Sequence, residues 1–309
     1  MKKQGKALIV GLVLSFWLTF LFAQAPSNSK PAAGFSYPPA MPGAQERIYK
    51  TVGKAKLSLY IFQPAGHKAS DRSPAIVFFF GGGWSSGSPG QFLTQCQHLA
   101  SRGMVAISAD YRVASRHGVK IPECVQDAKS AVRWIRSHSS ELGIDPRRIA
   151  AGGGSAGGHI AACTGTVTGF EEAGEDMAVS SVPDAMVLFN PALILSPAGL
   201  ETIFPKEKMD SLAQRAGTDP ARISPYHHLC KGIPPTIIFH GTADTTVPFK
   251  SVELFAKSMD SFGNRCRLVP YPDKEHGFFN YGRADEKTYQ SVLEEMDRFL
   301  EEQGFLKKR

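Results

Sequence analysis

The sequence predicts an α/β fold: a doubly wound, mostly parallel sheet flanked by helices, with a small lid insertion. Three observations carry this. Short runs that are apolar on both faces, such as Ala75-Ile76-Val77-Phe78-Phe79-Phe80, suit strands buried in a parallel sheet. They alternate with longer stretches of helical periodicity, the order that builds β-α-β units. The 309 residues suffice for one large domain with a full core.

The chain opens with Lys2, Lys3 and Lys6, then an almost wholly apolar run from Ala7 to Phe22, then Ala23-Gln24-Ala25. A basic start, an apolar stretch and a small-x-small site read as a secretory signal peptide over residues 1–25, cleaved after Ala25. The expected location is therefore secreted or periplasmic. An uncleaved anchor is the competing reading, because the apolar run is near the lower length limit for a span. Residues 26–44 are rich in Pro, Ser and Ala and read as a linker. Phe35 and Tyr37 within it are a less favoured sugar-binding strip.

The domain is expected over residues 45–309. Ile48–Val52 and Leu57–Phe62 alternate in polarity around Gly53-Lys54, a hairpin signal. Buried-strand runs follow at Ala75–Phe80, Met104–Ala109, Arg148–Ala151, Met186–Phe189, Thr236–Phe239 and Arg267–Val269. Helical stretches lie at Gln91–Ser101, Pro122–Ser139, Ala156–Val167, Val247–Ser261 and Glu286–Glu302. Residues 191–233 form the one sizeable insertion, helical around Leu200–Ala216, and are read as the lid. There is no internal repeat.

Composition excludes several classes. The chain carries 35 Lys+Arg and 28 Asp+Glu. Without residues 1–25, which hold three lysines and no acid, 32 cations face 28 anions, a net +4. The basic residues are scattered, so nucleic acid is not an expected partner. The five cysteines are far apart and form no C-x-x-C, and the adjacent His227-His228 would face apart, so no metal site is expected.

Gly153-Gly154-Ser155-Ala156-Gly157 follows one buried run and opens a helix. This is the strand–turn–helix setting of a nucleophile elbow. A sharp turn presents the Ser155 hydroxyl, the small flanking residues let strand and helix approach, and the Ala156 N–H points toward developing charge. No Lys-Ser/Thr follows the glycines, so a phosphate loop does not fit. Asp244 and His276 each lie on a loop beyond a strand end. Alone, Asp244 reads equally as a turn residue and His276 as a surface histidine. Together the order Ser155, Asp244, His276 is that of a nucleophile, an orienting acid and a base. Gly81-Gly82-Gly83-Trp84 follows an early strand, where a glycine turn frees backbone N–H groups to bind an oxyanion.

On these motifs, with Asp110-Tyr111-Arg112, Gly157-Gly158-His159, His240-Gly241 and Glu275-His276-Gly277-Phe278, the chain resembles the α/β-hydrolase superfamily from about Ile48 onward. The likeness is to its esterase/lipase branch: hormone-sensitive-lipase-like enzymes and bacterial acetyl-, feruloyl- and xylan-esterases. The resemblance implies a serine esterase with no cofactor, catalysis by Ser155, Asp244 and His276, and an oxyanion hole from Gly82, Gly83 and Ala156. Trp84 is the expected substrate contact. The expected partner is a small-molecule or carbohydrate ester, acetyl-xylan-esterase-like, with no stable membrane partner. Three departures stand out. Phe80 replaces the family's histidine before the glycines. Val113-Ala114-Ser115-Arg116 replaces the usual Ala-Pro-Glu, so the preceding motif carries over only a loop-bracing role. Only a Pro-rich linker and a hairpin precede the core, so the family's helical N-terminal cap is not expected. A prolyl-oligopeptidase-like peptidase shares the triad order but lacks room here for a propeller. A non-catalytic binding module on this fold has no need of all three groups.

Overall fold

A computed structural model of the chain describes Met1, residues 36–196 and residues 206–308. The expected signal segment, most of the linker and residues 197–205 of the insertion lie outside these.

One sheet of eight strands organises the described residues. The hairpin strands β1 (Gln45–Val52) and β2 (Ala55–Phe62) pair antiparallel, closing at Val52 and Ala55 around Gly53. Then come β3 (Ser73–Phe79), β4 (Val105–Ala109), β5 (Ile144–Gly154), β6 (Ala185–Phe189), β7 (Thr236–Gly241) and β8 (Cys266–Tyr271). The spatial order is β1-β2-β4-β3-β5-β6-β7-β8, and every pair from β4 to β8 is parallel. The order reverses around β3, which lies between β4 and β5, so the crevice beyond the strands' carboxyl ends is the expected ligand side.

Alternation along β3 builds both faces. Ala75, Val77 and Phe79 enter one core and Ile76 and Phe78 the other, all fully buried. After the single turn α2 (Ala114–His117), the first core is closed by α3 (Ile121–Ser137), α4 (Ala156–Thr166) and α6 (Phe249–Ser261). The second is closed by α1 (Leu93–Ser101) and α7 (Glu286–Glu302). The α1 region begins as a 3-10 turn at Pro89–Phe92, because Ser88 caps Gly90 and proline takes the first helical position. Within the insertion the described helix is α5 (Lys206–Ala216), followed by two 3-10 turns at Pro220–Ile223 and Pro225–His228.

Two contacts fix the hairpin edge. Lys50 Nζ lies 2.7 Å from Asp127 on α3, and Arg112 grips the same carboxylate. Residues 36–44 are also anchored: the Tyr37 hydroxyl donates to Asp110 Oδ2 at 2.8 Å beneath the Arg116 guanidinium. The carboxyl end of the predicted linker is thus docked, because one aromatic hydroxyl meets a buried carboxylate. All five cysteines are free, and Cys96, Cys124 and Cys163 are buried.

Candidate active site

β5 ends at Gly154 and α4 starts at Ala156, so Ser155 alone makes the turn between them. Its φ of 54° and ψ of −117° are unfavourable for any residue with a Cβ, a strain of about 1–3 kcal/mol. Backbone bonds hold it there: the Ser155 N–H donates to Phe189 at 2.8 Å, and its carbonyl accepts from His159 at 2.9 Å. The glycines explain how strand and helix come so close. A Cβ on Gly157 would sit 2.0 Å from the Phe79 carbonyl oxygen, and one on Gly153 2.5 Å from the Gly157 backbone.

The three separate loops converge. His276 Nε2 lies 2.9 Å from Ser155 Oγ, and His276 Nδ1 lies 2.7 Å from Asp244 Oδ2. With a carboxylate facing Nδ1, that nitrogen carries the proton, and Nε2 presents its lone pair to the serine hydroxyl. Asp244 Oδ1 accepts the N–H groups of Thr246 and Val247 at 2.9 and 2.8 Å. His240 Nε2 donates to the Val247 carbonyl and lies 3.3 Å from Asp244 Oδ2, so it braces the acid loop. Burial pushes the Asp244 carboxyl up. The hydrogen bonds from His240 and His276, the field of His276 and the Val247 N–H outweigh burial and hold it well below the usual carboxylate range.

Two residues to which the sequence reading gave no part in the site belong to this assembly. Asn190, the residue after β6, has φ 43°, donates from Nδ2 to Asp244 Oδ2 and accepts the Gly277 N–H, both at 3.2 Å. It ties the acid loop to the histidine loop. Its one signal was position: a polar residue at a strand's carboxyl end, as at Ser155. His159, quoted above only within the motif after the serine, is fully buried on α4. Its Nδ1 accepts the Trp84 indole N–H at 3.0 Å and its Nε2 donates to the Ile223 carbonyl at 2.7 Å. It therefore links the glycine loop to the insertion. Burial lowers its pKa to about 4, against the opposing pull of the Ile223 hydrogen bond.

The glycine loop is braced without a histidine. The Phe80 ring stacks on Tyr111 at 4.2 Å, and the Tyr111 hydroxyl donates to the Phe80 carbonyl at 2.7 Å. Arg116 reaches the Gly87 carbonyl at 2.7 Å and Asp110 at 3.2 Å. The Gly81 N–H is taken by Gln91. Gly82 (φ 129°) and Gly83 (φ 61°) turn the chain, and a Cβ at Gly82 would strike the Ser86 carbonyl at 2.2 Å. Among the described residues, the N–H groups of Gly82, Gly83 and Ala156 have no acceptor. They remain available to an oxyanion.

Ser155 opens onto two cavities. One, of about 220 Å³, has mostly apolar walls that include Trp84, Ile194, Leu195, Met209 and Leu212. The insertion therefore supplies much of this wall. The other, of about 490 Å³, is bordered by Gln91, His276, Glu275 and Arg283. No cluster of His, Cys, Asp or Glu with metal-binding arrangement occurs among the described residues.

A serine on a strand–helix elbow, an aspartate and a histidine on the loops after β7 and β8 and this sheet order together define an α/β-hydrolase. Residues 59–259 match the BD-FAE family and residues 218–304 the dienelactone hydrolase family. The structure is similar to Thermogutta terrifontis esterase 2 phosphonylated by sarin: TM-score 0.87, 56% identity, covering 89% of this chain and 100% of that one. It is likewise similar to the butyrate-bound esterase from that species, with TM-score 0.85, 56% identity and coverage of 89% and 99%. A probable isoprenylcysteine alpha-carbonyl methylesterase of Arabidopsis thaliana is 28% identical over 242 residues, 74% of this chain and 50% of that protein. The chain spans about half the length of the curated relatives it matches. It belongs to the BD-FAE family, within the esterase/lipase branch of the α/β-hydrolases.

Proposed function

We propose that this chain is a serine carboxylesterase for esters with short acyl groups, acting through Ser155, His276 and Asp244. The observation that carries this is the continuous relay from Ser155 Oγ through His276 to Asp244, at 2.9 and 2.7 Å, at the mouth of a small apolar cavity. Ser155 attacks the acyl carbon while its proton passes to His276 Nε2. Charge on the carbonyl oxygen is met by Gly82, Gly83 and Ala156, each such donor contributing about 3–4 kcal/mol to barrier lowering. The imidazolium returns the proton as the bond to the alcohol oxygen breaks. Water, deprotonated by His276, then attacks the acyl-enzyme and frees the acid. Asp244 fixes the imidazole tautomer and stabilises its charged form.

The volume of about 220 Å³ supports a short acyl group, as does the butyrate bound to the similar esterase. The larger polar cavity beside His276 suits a hydroxyl-rich alcohol, which supports a decorated carbohydrate such as acetylated xylan. Export through residues 1–25 would give access to such a polymer. Initial rates on p-nitrophenyl esters from acetate to decanoate, with Ser155→Ala as control, test the reaction and the acyl limit. Acetate release from acetylated xylan tests the alcohol. Activity equal to the Ser155→Ala control on every ester would refute the esterase reading. Cleavage of small esters without acid release from any decorated polysaccharide would refute only the carbohydrate assignment.

A further inference from the structure

Resting on that esterase reading, we infer that the acyl cavity also accepts acyl groups ending in a carboxylate, that is, monoesters of short dicarboxylic acids. Arg215 is the specificity residue that receives the distal carboxylate. Arg215 is the one charged side chain among the described residues that line this cavity. Its guanidinium lies 5.9 Å over the Trp84 ring, and Nη1 lies 3.8 Å from where a Cβ on Gly83 would stand. The cation is therefore beside the glycine loop, not out along the helix.

Three other arginines are engaged by carboxylates. Arg112 grips Asp127, Arg116 binds Asp110 and Arg133 binds two glutamates. Among the described residues Arg215 makes no ion pair and no hydrogen bond; its one contact of this kind is the Trp84 face. A cation–π contact with an aromatic face leaves the guanidinium N–H fork free for a carboxylate. A second cation adds to the field: Lys120 and Arg215 both line a small cavity of about 60 Å³ against Gly83 and Trp84. A space of this size holds more than one water and so has room for a group of carboxylate size. A carboxylate entering an otherwise apolar cavity requires such a counter-charge. The cavity on the alcohol side is bordered by Glu275 and Arg283 and does not include Arg215, which confines the preference to the acyl group.

The test separates binding from turnover. In Ser155→Ala protein, calorimetric titration with glutarate and with pentanoate, matched in chain length, should show glutarate binding about tenfold more tightly. Adding Arg215→Gln should abolish that advantage, and Arg215→Lys should restore only part of it. In the active enzyme, the ratio of kcat/KM for monoethyl glutarate to that for ethyl pentanoate should fall about tenfold in Arg215→Gln. Equal binding of the two acids, no binding of glutarate, or a preference that survives Arg215→Gln would overturn the inference. Loss of the esterase reading itself would register differently, as no turnover of p-nitrophenyl butyrate and no fluorophosphonate labelling of Ser155.

Discussion

Lowering the pH should destabilise this fold through one buried imidazole. His159 Nδ1 accepts the Trp84 N–H, so a proton on Nδ1 would face another donor and break the link between the glycine loop and α4. Burial accordingly lowers its pKa from the ordinary 6.5 to about 4. The unfolded chain takes up this proton near pH 6.5, whereas the folded chain resists until about pH 4. The stabilisation is therefore complete above pH 6.5 and lost progressively as pH falls to about 4. At 1.36 kcal/mol per pH unit the loss is about 3 kcal/mol. The assay is urea unfolding of wild type and His159→Gln at pH 7, 5.5 and 4. The variant is expected to start less stable but to lose about 3 kcal/mol less than wild type across this range. Parallel pH dependences in the two proteins would refute the assignment of a neutral, Nε2-protonated His159.

Other expectations follow from single contacts. Asn190→Ala strands the buried Gly277 N–H and removes one donor from Asp244; it should cost about 1–3 kcal/mol by denaturant titration and lower kcat more than it raises KM. Gly157→Ala drives a Cβ to 2.0 Å from the Phe79 carbonyl oxygen, backbone against backbone, and should cost about 3 kcal/mol or fail to give soluble protein. Asp244→Asn keeps the shape but loses the charge that fixes the His276 tautomer; steady-state kinetics should show kcat down by roughly 10³–10⁴ with KM little changed. Tyr111→Phe leaves the buried Phe80 carbonyl without its donor, and should cost about 1–3 kcal/mol while weakening kcat through the glycine loop.

Where cause was local, the sequence was enough. An apolar run such as Ala75–Phe80 needs burial on both faces wherever it lies, so the α/β class and nearly every strand and helix followed from periodicity. The elbow was equally legible, because a Cβ at Gly153 or Gly157 is excluded by atoms of the same strand–turn–helix unit and its neighbouring strand. The loops carrying Asp244 and His276 could be placed at strand ends, since each directly follows a buried run. Tertiary structure decided what depends on parts distant in the chain. Ser155 and His276 are 121 residues apart, and only the parallel order of β5 to β8 brings them to 2.9 Å. Asn190 looked like any polar residue after a strand until Asp244 and Gly277 closed around it. Phe80 left the glycine loop's bracing open in the sequence; the stacked Tyr111, 31 residues on, supplies the contact. The roles of His159 and Arg215 arise where the insertion packs against Trp84. That packing leaves no periodic trace in the sequence, because it reflects the shape and charge of surfaces formed only once the sheet has assembled.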